Sequence, residues 1–152
     1  MIIRDATEAD LPAIVTIYNE SISGGKATAD LVAVTVEERW TWFQEFDPDR
    51  RPCWVAEDEG KVVACVYLRS FYAGRPAYNK TAEISTYISR SHQGKGLGTR
   101  LKREMIAECP RLGVENLLSF YFDHNEASRR VNAKLGFKDS AHLKEIAEVF
   151  GE

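Results

Sequence analysis

The segment at residues 81–99, TAEISTYISRSHQGKGLGT, constrains the fold more than any other. Its first nine residues alternate and carry β-branched side chains, the signature of a strand. Three glycines then fall at alternate positions, Gly94, Gly96 and Gly98. Residues 98–109 return to helical spacing through Leu101, Met105 and Ile106, and stop before Pro110. A strand running through a bare loop into a helix leaves amide groups unpaired at the positive end of the helix dipole, an arrangement that suits phosphate. Lys95 and Arg100 add positive charge. The loop is not a Walker motif, because Gly94-Lys95 is followed by Gly96 rather than Ser or Thr. Nor is it a GxGxxG dinucleotide fingerprint, since the third position is Thr99. A plain tight turn is the competing reading of the loop alone.

Around this unit the chain reads β α α β β β α β α β, an α/β layout on a mixed sheet. Ile2-Ile3-Arg4 is a short edge strand. Thr7 and Asp10 form a capping box before Leu11, Ile14, Val15 and Tyr18, which share one helical face, with Pro12 in the first turn. Thr35 and Glu38 repeat the box ahead of WTWFQEF. Two apolar runs around Asp58-Glu59-Gly60-Lys61 predict a hairpin. NLLSFYF predicts a strand, NEASRRVNAKLGF a helix stopped at Gly136, and AHLKEIAEVF a final strand.

Nothing in the 152 residues divides the chain, so residues 1–152 are expected to form one domain, with 44% hydrophobic residues supplying a core. A net charge of −3 gives no polycationic face and argues against nonspecific nucleic-acid or membrane binding. The start, MIIRDATEAD, lacks the pattern of a signal peptide. Cys53, Cys65 and Cys109 are odd in number and scattered, which fits neither a disulfide framework nor a metal motif. The expectation is a cytoplasmic, metal-free protein.

The spacing Gln93-x-x-Gly96-x-Gly98 resembles the Q/R-x-x-G-x-G/A signature of the GNAT acyltransferases. YISRSHQGKGLGTRL is similar to the whole superfamily segment, and DHNEASRRVNAKLGF to its downstream block. RDATEADLPAIVTIYNESI and AGRPAYNKTAEISTYISRSHQGKGLGT further resemble the phosphinothricin N-acetyltransferase family. The resemblance implies a GNAT-type mixed, mostly antiparallel sheet flanked by helices, with acetyl-CoA as co-substrate and a small amine-bearing acceptor. It implies that Gln93, Gly94, Lys95, Gly96, Leu97, Gly98 and Thr99 hold the pyrophosphate. It implies too that Thr86, Tyr87 and Ile88 pair with the pantetheine arm, a main-chain N–H near Ile88 facing the thioester oxygen. Asn125 matches a pantetheine contact, with Ser128 one turn beyond; an N-cap is the plainer role of Asn125 and both are compatible.

Acetyl transfer to an amine requires a fixed donor, a partner for the oxyanion and a base for the attacking ammonium. By similarity Glu83 is the base, directly or through water; otherwise it is a solvent-facing strand glutamate. Arg75 and Tyr78 match the family's R-x-A-Y loop and are candidates to bind an acceptor carboxylate and orient the amine, with Arg69, Tyr18 and Asn19 as weaker candidates. Two departures stand out. Asn132 occupies the place where many GNAT enzymes carry a tyrosine that protonates the leaving thiolate. The resemblance also implies a further strand beyond residue 152, without which an exposed edge would favour pairing with another subunit, a homodimer. The alternatives are acetylation of a peptide N-terminus, lysine or polyamine, and an acyl-CoA-binding module without turnover.

Overall fold

The computed structural model describes residues 1–151. Its sheet runs in the order β1 (Ile2–Asp5), β2 (Cys53–Asp58), β3 (Lys61–Ser70), β4 (Thr81–Ile88), β5 (Asn116–Leu118). The first four strands are antiparallel to their neighbours, whereas β5 lies parallel to β4. β2 and β3 turn through Glu59 and Gly60, both left-handed at φ 48° and 75°, as a tight two-residue hairpin demands. The sheet and its helices form the mixed, mostly antiparallel arrangement flanked by helices that the resemblance implies.

Alternation along β4 divides the core. Ala82, Ile84 and Ile88 face one side, where α3 (Leu97–Glu108) lays Leu97, Leu101 and Met105 against them. Cys65, Tyr67 and Tyr87 face the other, packed by Leu11, Ile14 and Val15 of α1 (Leu11–Ile22) and Phe43 of α2 (Val36–Gln44). Each such buried side chain contributes about 1.5–3 kcal/mol, so the two helical layers hold β4 firmly from both faces. Both capping boxes form as their sequences predict. Asp10 does more than cap: it accepts from the Thr7 amide and from both terminal nitrogens of Arg4, which also bonds Glu57. The box thereby ties the start of α1 to β1 and β2.

Two predicted strands change. NLLSFYF pairs only over Asn116–Leu118, because β5 parts from β4 after that point. AHLKEIAEVF is not a strand among the described residues. Glu145 and Phe150 take left-handed φ of 55° and 52°, which breaks an extended run. Only Val149 is buried there, and Leu143 and Ile146 are exposed, so the segment folds back by one apolar contact rather than by ladder hydrogen bonds. The predicted helix at NEASRRVNAKLGF is present as α4 (Glu126–Lys134) and ends before Gly136, which is left-handed at φ 85°.

The Arg4 guanidinium and the Thr7 bonds draw the Asp10 carboxyl down to about 2 from its ordinary 3.8. Because the folded value is the lower one, its stabilisation is complete above about pH 4 and disappears as the pH falls toward 2. Asp10→Ala is expected to lose roughly 2 kcal/mol at pH 7 in denaturant unfolding and to flatten the acid limb of the stability profile.

Candidate functional site

β4 is the central element of the site. On one side it pairs with β3 along seven residues, from Ala82↔Ser70 to Ile88↔Ala64. On the other it pairs with β5 only at Thr81, Ala82 and Glu83. From Ile84 to Ile88 that edge has no strand beside it, so its backbone groups are free to receive an extended ligand. Thr86 lies in this stretch, and its Oγ1 is buried without a hydrogen-bond partner.

Beyond Ile88 the chain makes one 3₁₀ turn, Arg90–His92, and enters the glycine loop. Gln93 Nε2 donates to the Ile88 carbonyl at 3.0 Å and Lys95 Nζ to the Ser91 carbonyl at 2.8 Å, which pins the loop to the strand end. Gly94 and Gly96 are left-handed at φ 72° and 80°. A side chain at Gly98 would put its Cβ 3.0 Å from Ile88 Cδ1, so the glycine lets α3 sit close on β4. The amides of Gly94, Lys95, Gly96, Leu97, Gly98 and Thr99 donate to no carbonyl among the described residues, and Arg100 is the first to close a helical bond, onto Gly96. Six free amides at a helix start, next to two cations, suit an anion such as a phosphate group.

Glu83 opens onto the opposite face of β4, in a cleft of about 420 Å³ whose walls include Tyr18, Arg39, Trp42, Arg69, Ser85 and Tyr87. Half-burial raises the Glu83 carboxyl above its usual range, and the Arg69 charge, cross-strand from it, moderates the rise. Arg69 also pairs with Glu45 at 2.8 Å. Arg39 bonds Asp30 at 2.9 Å and lies 4.6 Å from the Tyr18 ring centroid and 5.4 Å from that of Trp42. The Tyr18 hydroxyl in turn bonds Thr28 and Asp30. Asn19, by contrast, is spent on the Val34 backbone, donating to its carbonyl and accepting from its amide, both at 2.9 Å.

Arg75 and Tyr78 are not among the cleft-lining residues. They lie in the exposed connection between β3 and β4, where Tyr78 packs on Phe71 and Tyr72, and Arg75 lies over the Tyr72 ring at 5.7 Å. The buried Arg51 guanidinium fastens this connection by donating to the Asn79 carbonyl at 2.7 Å. Arg39, Asp30 and Thr28 carry no sign in the sequence of a place in this cleft. They lie 40 or more residues from Glu83, and only the packing of α1 and α2 on the sheet brings them there.

Asn125 caps α4, its Oδ1 accepting from the Ser128 amide at 3.1 Å, while its Nδ2 donates to the Lys26 carbonyl at 2.8 Å. Each atom keeps one further hydrogen-bonding valence. Asn132 of α4 and Lys102 of α3 are buried together, with the half-buried Ser119 beside them. Lys102 Nζ donates to Asn132 Oδ1 at 2.8 Å and to Ser119 Oγ at 3.1 Å, and Asn132 Nδ2 donates to Ser119 at 3.0 Å. Desolvation brings the Lys102 ammonium down from 10.5 to about 8, a burial cost of roughly 3 kcal/mol with no carboxylate bonded to it.

A glycine loop with free amides, an open strand edge and a carboxylate just before that edge are parts that suit an acyl-CoA-dependent transferase. The sequence profile of the acetyltransferase (GNAT) family matches residues 12–137, and the chain belongs to that family. It is an acetyl-CoA-dependent N-acetyltransferase. YwnH of Bacillus subtilis, provisionally named a phosphinothricin acetyltransferase, is 44% identical over all of this chain and 93% of its own length. An L-methionine sulfoximine/L-methionine sulfone acetyltransferase of Salmonella typhimurium is 32% identical, across 99% of this chain and 88% of its own. Among solved structures, a phosphinothricin acetyltransferase from Sinorhizobium meliloti in complex with acetyl-CoA superposes with a TM-score of 0.92 at 30% identity, covering 99% of this chain and 82% of that one.

Gly96→Ala puts a Cβ on a left-handed backbone at a cost of about 1–2 kcal/mol, which the free loop sheds by relaxing and which returns when acetyl-CoA draws the loop back into that conformation. Acetyl-CoA binding, measured by calorimetry, is expected to weaken by about tenfold with the thermal midpoint little changed.

Proposed function

We propose that the protein transfers the acetyl group of acetyl-CoA to the α-amine of a small free amino acid or amino-acid analogue, of the phosphinothricin or methionine-sulfoximine kind. The observation that carries this reading is Glu83, a half-buried carboxylate at the last position where β4 pairs with β5. It opens onto a cleft large enough for an amino acid and carrying the two guanidinium groups of Arg39 and Arg69. The names of the similar enzymes from Bacillus and Salmonella point to the same class of acceptor.

In this reading the amides of Gly94 through Thr99 take the pyrophosphate, with Gln93 bracing the loop. The pantetheine arm lies as an added strand along the open edge of Thr86, Tyr87 and Ile88, and Asn125, Ser128 and Asn132 wall it from α4. Glu83 accepts the proton of the attacking ammonium, directly or through one water, and a main-chain N–H near Ile88 meets the oxyanion. A carboxylate with an ordinary pKa of about 4.3 is a weak base for an ammonium, and the burial-raised value of Glu83 narrows that gap. Arg69 inside the cleft, and Arg75 with Tyr78 in the connection that leads into β4, serve the acceptor's carboxylate. A cytoplasmic homodimer belongs to the same reading, supported by the exposed Phe120, Leu143 and Ile146 beside and beyond β5.

A thiol-release assay over free amino acids, sulfoximine and phosphinic analogues, peptides and polyamines tests the acceptor. Free amino acids or their analogues are expected to be preferred, and a preference for peptides or polyamines overturns the assignment. With the best acceptor, Glu83→Gln is expected to lower kcat by about 100-fold or more while acetyl-CoA affinity holds. Glu83 must be ionised to take the proton, so wild-type kcat falls as the pH drops through a value above the ordinary carboxylate range. Glu83→Gln has no such limb.

A further inference from the structure

Lys102 is a buried ammonium that the steps above do not use. It sits on α3, two turns into the helix that opens from the glycine cradle, and it is 7% exposed. Its three N–H groups meet two neutral acceptors, Asn132 Oδ1 at 2.8 Å and Ser119 Oγ at 3.1 Å. Phe137 lies against it, its ring centroid 5.9 Å from Nζ. A charge buried without a counter-ion is costly and calls for a reason.

Its location supplies one. Ser119 is the first residue past the last paired position of β5, so it stands where β5 and β4 part. Lys102 therefore points its ammonium at the fork between the strands, on the α3 side of β4, whereas Glu83 opens onto the α1 side. Resting on the reading that the acyl-CoA arm lies along this open edge, we propose that the Lys102 ammonium donates the proton taken up by the departing CoA thiolate, with Asn132 and Ser119 orienting it.

The step balances. The amine nitrogen forms its bond to the acetyl carbon, the carbon–sulfur bond breaks, and the electron pair leaves on sulfur. The sulfur takes a proton from Lys102, which becomes a neutral amine and regains a proton from water. The acceptor ammonium gives one proton to Glu83 before it attacks, and its nitrogen gives a second to water as the adduct collapses to the amide; Glu83 passes its proton to water and Lys102 takes one back, so each turnover releases one proton, the charge the ammonium brought in. An ordinary lysine at 10.5 holds its proton too tightly to give it readily to a thiolate whose thiol lies near 8.5; at about 8, Lys102 is matched to it. Asn132, an amide, cannot donate a proton in this way, but it accepts from the group that does.

The test titrates the thiol of bound CoA by its ultraviolet thiolate absorbance, with the dethio-CoA complex as blank. In the wild type the bound thiol is expected to ionise below the value of free CoA, because the thiolate forms beside an ammonium. In Lys102→Met it is expected to ionise at or above that value, with dethio-CoA affinity unchanged and kcat reduced about 100-fold. Lys102→Met removes a buried charge, so it should melt no lower than the wild type below pH 8. Lys102→Arg keeps the charge but cannot release a proton, and is expected to keep the lowered thiol value while losing kcat. Identical thiol titrations in wild type and Lys102→Met, or an undiminished kcat in Lys102→Met, overturn the proposal. Failure of the wild type to bind either CoA or dethio-CoA overturns instead the acetyl-CoA reading on which it rests.

Discussion

The site depends on a pairing that stops. β4 is hydrogen-bonded to β3 along its length and to β5 for three residues, after which β5 leaves. A fully paired β4 would be an ordinary interior strand with no free backbone to offer. Because the break comes immediately after Glu83, the last paired position carries the carboxylate and the first unpaired ones carry the open edge. The two packed faces then decide what each side of the strand does. Helices α1 and α2 frame the cleft at Glu83, and α3 carries both the cradle and Lys102.

Burial does the chemical tuning. Glu83 and Lys102 lie on opposite faces of the same strand, and desolvation pushes the carboxyl up and the ammonium down. In the proposed reaction Glu83 is the base and Lys102 the acid, and each is shifted in the direction that its role requires. The cations of the cleft itself are held differently: Arg39 is fixed by Asp30 and two aromatic faces, and Arg69 by Glu45. These pairs set their geometry before any acceptor arrives.

What could be read directly from the chain were the features encoded over short spans. Thr7 with Asp10, Thr35 with Glu38, the Glu59-Gly60 turn and the strand–glycine–helix unit each sit within a few residues, and all form. The strand at residues 141–150 misled because alternation of apolar residues says nothing about whether a partner edge exists; Glu145 and Phe150 bend instead. The acceptor cleft was largely illegible. Tyr18 and Glu83 are 65 positions apart, and Arg39 gives no local sign of lining the cleft into which Glu83 opens. Lys102 was hidden for a similar reason, since a lysine among Arg100, Arg103 and Glu104 reads as a solvated helix face. Only the fold shows that it points inward to Asn132.

The central claim is that acetyl-CoA binds by main-chain groups of the glycine loop and the unpaired edge of β4. Amide hydrogen exchange with and without acetyl-CoA tests it most directly. The account predicts slowed exchange at Gly94 through Thr99 and along the Ile84–Ile88 stretch, with the β1–β2 ladder unaffected. Unchanged exchange in the loop, or protection spread evenly over the sheet, would contradict it.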